Sequence, residues 1–236
     1  MESGLKIVSK SGDWSPFQRF LSRNLSEASD LASCSVPPVE YEEKTVLFEQ
    51  GAIPSNIFLV EKGLIKLTRI SEAGLEFIAG LRSAGSFLGA ASAIAQRRHP
   101  FSAITVTSSL VQPLDLKVFL NLARRDTNVS WYLHRMHSLE MHDQASQLMQ
   151  LRCLSARQRL EQLIWQVTAA DSARLTHPVH MRLPLKRWEM AQVIGVTPEH
   201  LCRIMKELEA ERIMRSEGST LIVLDASRLY HSGEQL

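Results

Sequence analysis

Between Thr197 and Lys206 the chain places side chains that donate and accept hydrogen bonds at helical spacing. Glu199 and Arg203 stand at i and i+4, Cys202 lies beside Arg203, and Lys206 follows about a turn later. At roughly 100° per residue these four share one helix face, while Leu201, Ile204, Met205 and Leu208 share the opposite one. Thr197 and His200 flank the polar set at the helix start. A guanidinium donates two parallel hydrogen bonds, a carboxylate accepts them, and an ammonium meets a concentrated negative charge. That inventory matches the edges of a DNA groove. Arg203 suits guanine O6 and N7, Glu199 suits cytosine N4 or adenine N6, and Lys206 suits a phosphate. Glu199 and Arg203 can also pair with each other.

The elements that must hold this face are legible around it. Gly195 can take the left-handed backbone that ends a preceding helix. Thr197 is a good N-cap, and Pro198 occupies the first helical position, where its missing N–H costs nothing. The stretch from Pro184 to Leu208 therefore reads as helix, sharp turn, helix. A hairpin pattern follows over Ile213–Leu224, with Glu217, Gly218 and Ser219 at its tip. Together these predict a C-terminal winged helix-turn-helix.

Upstream, the pattern changes. Residues 1–38 are polar and Ser-rich and end in Pro37-Pro38; Trp14, Phe17, Phe20 and Leu21 predict a short amphipathic helix there. From Val39 to about Leu116, short β-prone runs are separated by Gly51, Gly63, Gly74 and Gly85 at spacings of 12, 11 and 11. Val46–Phe48, Ile57–Val60, Leu64–Leu67, Phe77–Ala79 and Ile104–Val106 are the clearest. This interval predicts a sandwich or barrel. A short helix around Lys117–Leu122 precedes cap candidates Asp126, Thr127 and Asn128. A long helix then reaches about Cys153, on the order of 37 Å at the usual rise. It carries one apolar stripe through Val129, Tyr132, Leu133, Met136 and Leu139, and an offset one through His134, Met141, Ala145 and Leu148. Two stripes imply two neighbours: the β-domain and a second copy of the helix. Val129, Leu133, Met136, Met141 and Leu148 are the candidate dimerisation residues, with the stripe that meets the partner left open. Ser155-Ala-Arg-Gln158 resembles a capping box and starts a further helix. Residues 171–182 read as a loop or weak hairpin.

Composition bounds the reading. The chain has 236 residues with 44% apolar content, enough for two domains. Net charge is only +2, and from Pro178 to the end eight Lys/Arg face eight Asp/Glu. Any positive field must therefore come from placement. No apolar run approaches the ~18 residues of a membrane span, and the N-terminus lacks the pattern of a secretion signal. Cys34, Cys153 and Cys202 are widely spaced and form no C-x-x-C pair. A cytoplasmic location without membrane association is expected.

Two sets of residues carry a family resemblance. Ala191–Arg203 resembles the DNA-reading segment of the CRP/FNR family of bacterial transcription regulators. Phe48–Gly51, Ile57–Gly63 and Gly85–Gly89 resemble the glycine-marked turns of that family's β-roll. The likeness runs from about Val39 to Leu229. It implies an α+β chain: an N-terminal double-stranded β-helix (jelly-roll, cyclic-nucleotide-binding-like) domain at 39–126, a long dimerisation helix at 127–153 and a winged helix-turn-helix at 154–236. It implies a homodimer on double-stranded DNA, with Glu199 and Arg203 reading the shared TGA core of each half-site. RNA polymerase would be a further partner of an activator. Pro198 replaces the arginine of the cAMP-responsive branch, which favours FNR-like, TTGAT-type half-sites. Cys202 stands where the FNR branch has serine. Beside Arg203 and near a helix N-terminus, it is also a redox candidate.

The resemblance further argues against cAMP. Gly89 is followed by Ala90, where that branch has glutamate, and Phe101 precedes Ser102 where it has arginine. Arg97 and Arg98 fall on an expected loop tip. Cys34 alone cannot hold an iron–sulfur cluster. Haem or a metal would need His99, His134, His137 or His142; His134 and His137 are i,i+3, yet no carboxylate or cysteine accompanies them. No metal, no cofactor and no catalytic residues are expected, and the effector is left unidentified. Between Val39 and Leu116 the only histidine is His99, which disfavours a jelly-roll metal enzyme. A regulatory interaction module with a degenerate DNA-binding domain is the alternative that the modest charge leaves open.

Overall fold

The computed structural model describes residues 37–169, 179–182, 185–217, 220–225 and 228–229. The expected helix around Trp14, Phe17, Phe20 and Leu21, Cys34 and the hairpin tip Gly218-Ser219 lie outside them. The chain divides into two compact units between Glu140 and Met141.

Among the described residues, the N-terminal unit has eight strands: β1 (Val39–Tyr41), β2 (Val46–Phe48), β3 (Asn56–Lys62), β4 (Ile65–Ile70), β5 (Glu76–Arg82), β6 (Phe87–Leu88), β7 (Ser102–Thr105) and β8 (Ser109–Asp115). They form two antiparallel sheets, ordered β1-β8-β3-β6 and β2-β7-β4-β5. The run Ile57-Phe58-Leu59-Val60 in β3 does not alternate with polar residues because both of its faces are covered. Ile57 and Leu59 join one core with Ala90, Leu114, Phe119 and Leu122. Phe58 and Val60 join another with Ile65, Leu88, Ala103 and Val111. Gly63 is indispensable at the β3–β4 turn. Its φ is +105°, and a Cβ there would fall 2.2 Å from Ser109 Oγ.

Helix α1 (Ala90–Ile94) follows β6, and α2 (Leu116–Arg125) follows β8. The Asp115 carboxylate caps α2, accepting from Lys117 N at 2.8 Å and Val118 N at 3.0 Å. Helix α3 (Thr127–Cys153) starts in the same way, with Asp126 accepting from Asn128 N and Val129 N. Of the candidate dimerisation residues, Val129 and Leu133 are buried in the β-unit's own core, and Met136 is half-buried. Met141 and Leu148 are exposed. The N-terminal part of the first stripe thus serves the fold of its own chain, while Leu139 at its end is exposed.

The C-terminal unit continues with α4 (Ala156–Ala169), β9 (Val179–Arg182), α5 (Arg187–Ile194), α6 (Pro198–Ala210), β10 (Met214–Glu217) and β11 (Thr220–Val223). The Ser155 capping box forms as expected: Ser155 N donates to Gln158 Oε1 at 2.9 Å, and Gln158 N donates to Ser155 Oγ at 3.2 Å. Strands β10 and β11 make the expected hairpin, registered from Met214↔Val223 to Glu217↔Thr220. The loop or weak hairpin expected at 171–182 contains a strand: β9 pairs with β11 and completes a three-stranded sheet. Leu160, Ile164, Met190, Leu201, Leu208, Ile213 and Leu221 form the buried interior.

Candidate nucleic-acid interface

The polar face of α6 is held in place from its first turn. Helix α5 ends at Gly195, whose φ of 69° and ψ of 46° are left-handed. Val196 N then donates back to Ala191 O at 2.9 Å, closing the turn. Thr197 caps α6, its Oγ accepting from His200 N at 3.2 Å, and Pro198 sits at the first helical position. Leu201, Ile204, Met205 and Leu208 are all buried. That anchorage turns Thr197, Glu199, Arg203 and Lys206 outward, where they are exposed, and leaves His200 and Cys202 half-buried.

Glu199 does not depend on Arg203 for its hydrogen bonds. Its own backbone N–H and the Thr197 hydroxyl hold its carboxyl below the ordinary glutamate value. It is therefore an ionised acceptor at neutral pH, and the Arg203 guanidinium stays available on the same face. Further exposed cations stand on neighbouring elements. Lys186 and Arg187 are exposed at the start of α5, and Arg215 is exposed on β10. Arg187 Nη2 donates to Ser216 Oγ at 3.4 Å, and Arg215 pairs with Glu217. These three were not singled out from the sequence; a Lys186-Arg187 pair at a helix start could have signalled the first two, and β10 placed the third.

Part-buried and exposed polar contacts also hold α5 and α6. Glu189 Oε2 accepts from Lys186 N at 2.8 Å across the first turn of α5. Arg157 of α4 grips Glu211, just after α6, with both terminal nitrogens, and its Nε donates to Glu161 at 2.9 Å. Those carboxylates raise the Arg157 pKa further, and Arg157 in turn holds the Glu211 carboxyl below its ordinary range.

In the β-unit, the stretch that bears on an effector is also placed. Ala90 is buried at the start of α1, and Ser102 Oγ accepts from Gln50 N at 2.9 Å. Arg97 and Arg98 are exposed, and Arg98 donates to Gly51 O at 2.8 Å. His99 is buried and stacked on Phe48 with centroids 4.0 Å apart; burial lowers its pKa. His134 and His142 are exposed on α3 and His137 is half-buried. Among the described residues no three His, Cys, Asp or Glu side chains gather as a metal ion requires. No helix among them is long and apolar enough to cross a membrane.

A jelly-roll followed by a long helix and a winged helix-turn-helix is the architecture of a two-domain DNA-binding regulator. Comparison with known proteins agrees. The cyclic nucleotide-binding domain family matches residues 38–126, and the Crp-like helix-turn-helix domain family matches residues 158–232. The chain belongs to the CRP/FNR family of transcription regulators. An anaerobic regulatory protein of Pasteurella multocida is 24% identical over 78% of this chain and 67% of its own. A cAMP-activated global transcriptional regulator CRP of Haemophilus influenzae is 23% identical over 79% of this chain and 84% of its own. Among solved structures, FixK2 from Bradyrhizobium japonicum aligns with a TM-score of 0.67 at 18% identity, covering 80% of this chain and 93% of its own. A crp/fnr-family regulator from Eubacterium rectale aligns at 0.71 and 13% identity, covering 89% and 95%. At such identities the structural likeness concerns the fold.

Proposed function

We propose that this regulator is a cytoplasmic homodimer that reads a palindromic DNA site with FNR-like, TTGAT-type half-sites, one α6 helix in each of two successive major grooves. The observation that carries the reading is the outward face of α6: Glu199, Arg203 and Lys206 exposed above a fully buried apolar face. Arg203 reads guanine, Glu199 accepts from cytosine or adenine, and Lys206 meets a phosphate. Thr197, His200 and Cys202 line the same face, and Lys186, Arg187 and Arg215 add phosphate contacts beside it. Pro198 offers no donor, which favours the FNR-like half-site.

The long helix supports dimerisation. Trp131, His134, Ser138, Met141, Ala145 and Leu148 recur at alternating spacings of three and four and are all exposed. That is the period of a two-helix seam. Met141 and Leu148 are its apolar layers, at 71% and 66% exposure in the single chain. The effector is not cAMP on this reading: buried Ala90 and half-buried Phe101 stand where a carboxylate and a guanidinium would be needed. RNA polymerase is the further partner if the regulator activates. Oxidation of Cys202 would add negative charge to the reading face, so peroxide should weaken wild type and spare Cys202→Ser in a gel shift.

The central test is binding of the full chain to a duplex carrying two TTGAT-type half-sites, across a salt series. Affinity should fall steeply with salt. Arg203→Ala should cost about 1–3 kcal/mol of discrimination against a duplex with scrambled half-sites. Lys206→Ala should weaken both duplexes alike and reduce the salt slope by about one. Unchanged discrimination in Arg203→Ala would remove the base-reading role. Absence of salt-dependent binding in wild type would favour an interaction module that no longer binds DNA.

A further inference from the structure

The joint between the long helix and the reading helices is gathered on one side chain. Arg159, half-buried on α4, donates from Nε to Ile194 O at 2.8 Å. Its Nη1 donates to Leu154 O at 2.7 Å and reaches Leu151 O at 3.4 Å. Leu151 belongs to the last turn of α3, Leu154 follows that helix, and Ile194 is the last residue of α5. The two helix ends thus meet on one guanidinium.

Chemistry explains why an arginine is needed there. The last carbonyls of a helix have no intrahelical partner, and they carry the negative end of its dipole. Ser155 N, which would have continued the α3 ladder, donates to Gln158 instead. The carbonyl of Leu151 is thereby left to another donor, and so is that of Leu154, because Gln158 N donates to Ser155 Oγ. The carbonyl of Ile194 is in the same position, because left-handed Gly195 terminates α5. A planar fork with nitrogens on two edges serves both groups at once, and its charge suits both dipole ends. Close approach marks the joint as well: Leu151 Cδ2 lies 3.2 Å from where a Cβ on Gly195 would stand. The turn of the helix-turn-helix is therefore seated against the end of α3.

We propose that Arg159 is a positioning residue for DNA reading: by joining the end of the long helix to the end of α5, it fixes the angle at which α6 is presented. The inference rests on the dimeric reading above. If α3 pairs with its copy, this joint sets the separation of the two α6 helices, and hence the half-site spacing the dimer accepts. Arg159 touches no base; it acts through α5.

The test compares wild type, Arg159→Ala, Arg159→Lys and Leu151→Ala as full chains. Each is measured by sedimentation for dimerisation and by anisotropy for binding to four labelled duplexes: a palindrome at the spacing wild type prefers, palindromes with spacers one and two base pairs longer, and a single half-site. Arg159→Ala should stay dimeric and keep its half-site affinity within about twofold. It should lose roughly tenfold on the preferred palindrome, the scale of a charge-assisted hydrogen bond. It should also lose most of its preference among spacings. Arg159→Lys, with one charged donor, should recover part of that preference, and Leu151→Ala should show a milder form of the same loss. A merely structural role would lower thermal stability and weaken half-site and palindrome equally, and that pattern overturns the proposal. Wild-type spacing preference in Arg159→Ala overturns it too. Should Arg159→Ala not fold, the lysine and Leu151→Ala variants decide by the same criterion. A wild type that binds no palindrome removes the DNA-reading assignment itself. A wild type with sharp spacing preference, matched by the variants, removes only the joint.

Discussion

At Gly195 the backbone has a φ of 69°, and the space beside its Cα is taken by Leu151. An L-residue in the left-handed region costs roughly 1–2 kcal/mol, and a methyl group would also have to displace the Leu151 side chain. Gly195→Ala should therefore destabilise the chain by about that amount, seen as a lower denaturation midpoint, while the composition of the α6 face is unchanged. A midpoint equal to wild type would show that the turn relaxes without cost. The conformational demand was readable from the sequence, as a glycine between two helical periods. The packing demand was not, because Leu151 is 44 positions away in the chain.

Helices α4 and α6 illustrate how elements are held by charge as well as by apolar burial. The Arg157 guanidinium keeps the Glu211 carboxyl below its ordinary pKa. The unfolded chain binds that proton more readily, so the pair favours the folded state above the ordinary glutamate range. The contribution fades as pH falls through that range to the lowered folded value. Urea midpoints of the full chain against pH should show this directly. Wild type should exceed Glu211→Gln at neutral pH, and the gap should close as the solution is acidified. A gap independent of pH would mean the contact is steric. Element identity was largely legible: the strands around Phe58 and Leu67, the caps at Asp126 and Ser155, and the wing hairpin all follow from local pattern. Strand β8 was not, because Ser109, Gln112 and Pro113 break its alternation. Its strand character comes from pairing with β1 on one side and β3 on the other. Strand β9, read from sequence only as a loop or weak hairpin, was left open for the same kind of reason, since β11 supplies its register.

For the whole molecule, the two stripes of α3 separate folding from the proposed association. Val129 and Leu133 are buried in the β-unit, whereas Leu148 is exposed. Val129→Ala should cost about 2 kcal/mol of stability as a cavity and leave sedimentation unchanged. Leu148→Glu should leave the thermal midpoint of the isolated chain nearly unaltered but place a like charge on both sides of the proposed seam. It should shift the protein toward monomer and weaken palindrome binding more than half-site binding. A dimer that persists in Leu148→Glu would locate the interface elsewhere.

Local chemistry in the chain determined the exposed polar face of α6, the turn before it, the caps, and the two-domain order, since each depends on neighbours within a few positions. Tertiary structure decided which α3 stripe is spent on the chain's own core, what covers β8 and β9, and that Arg159 joins the ends of two helices. Those outcomes depend on groups far apart in sequence competing for the same buried surface and the same unpaired carbonyls, and only the folded chain brings them within reach of one another.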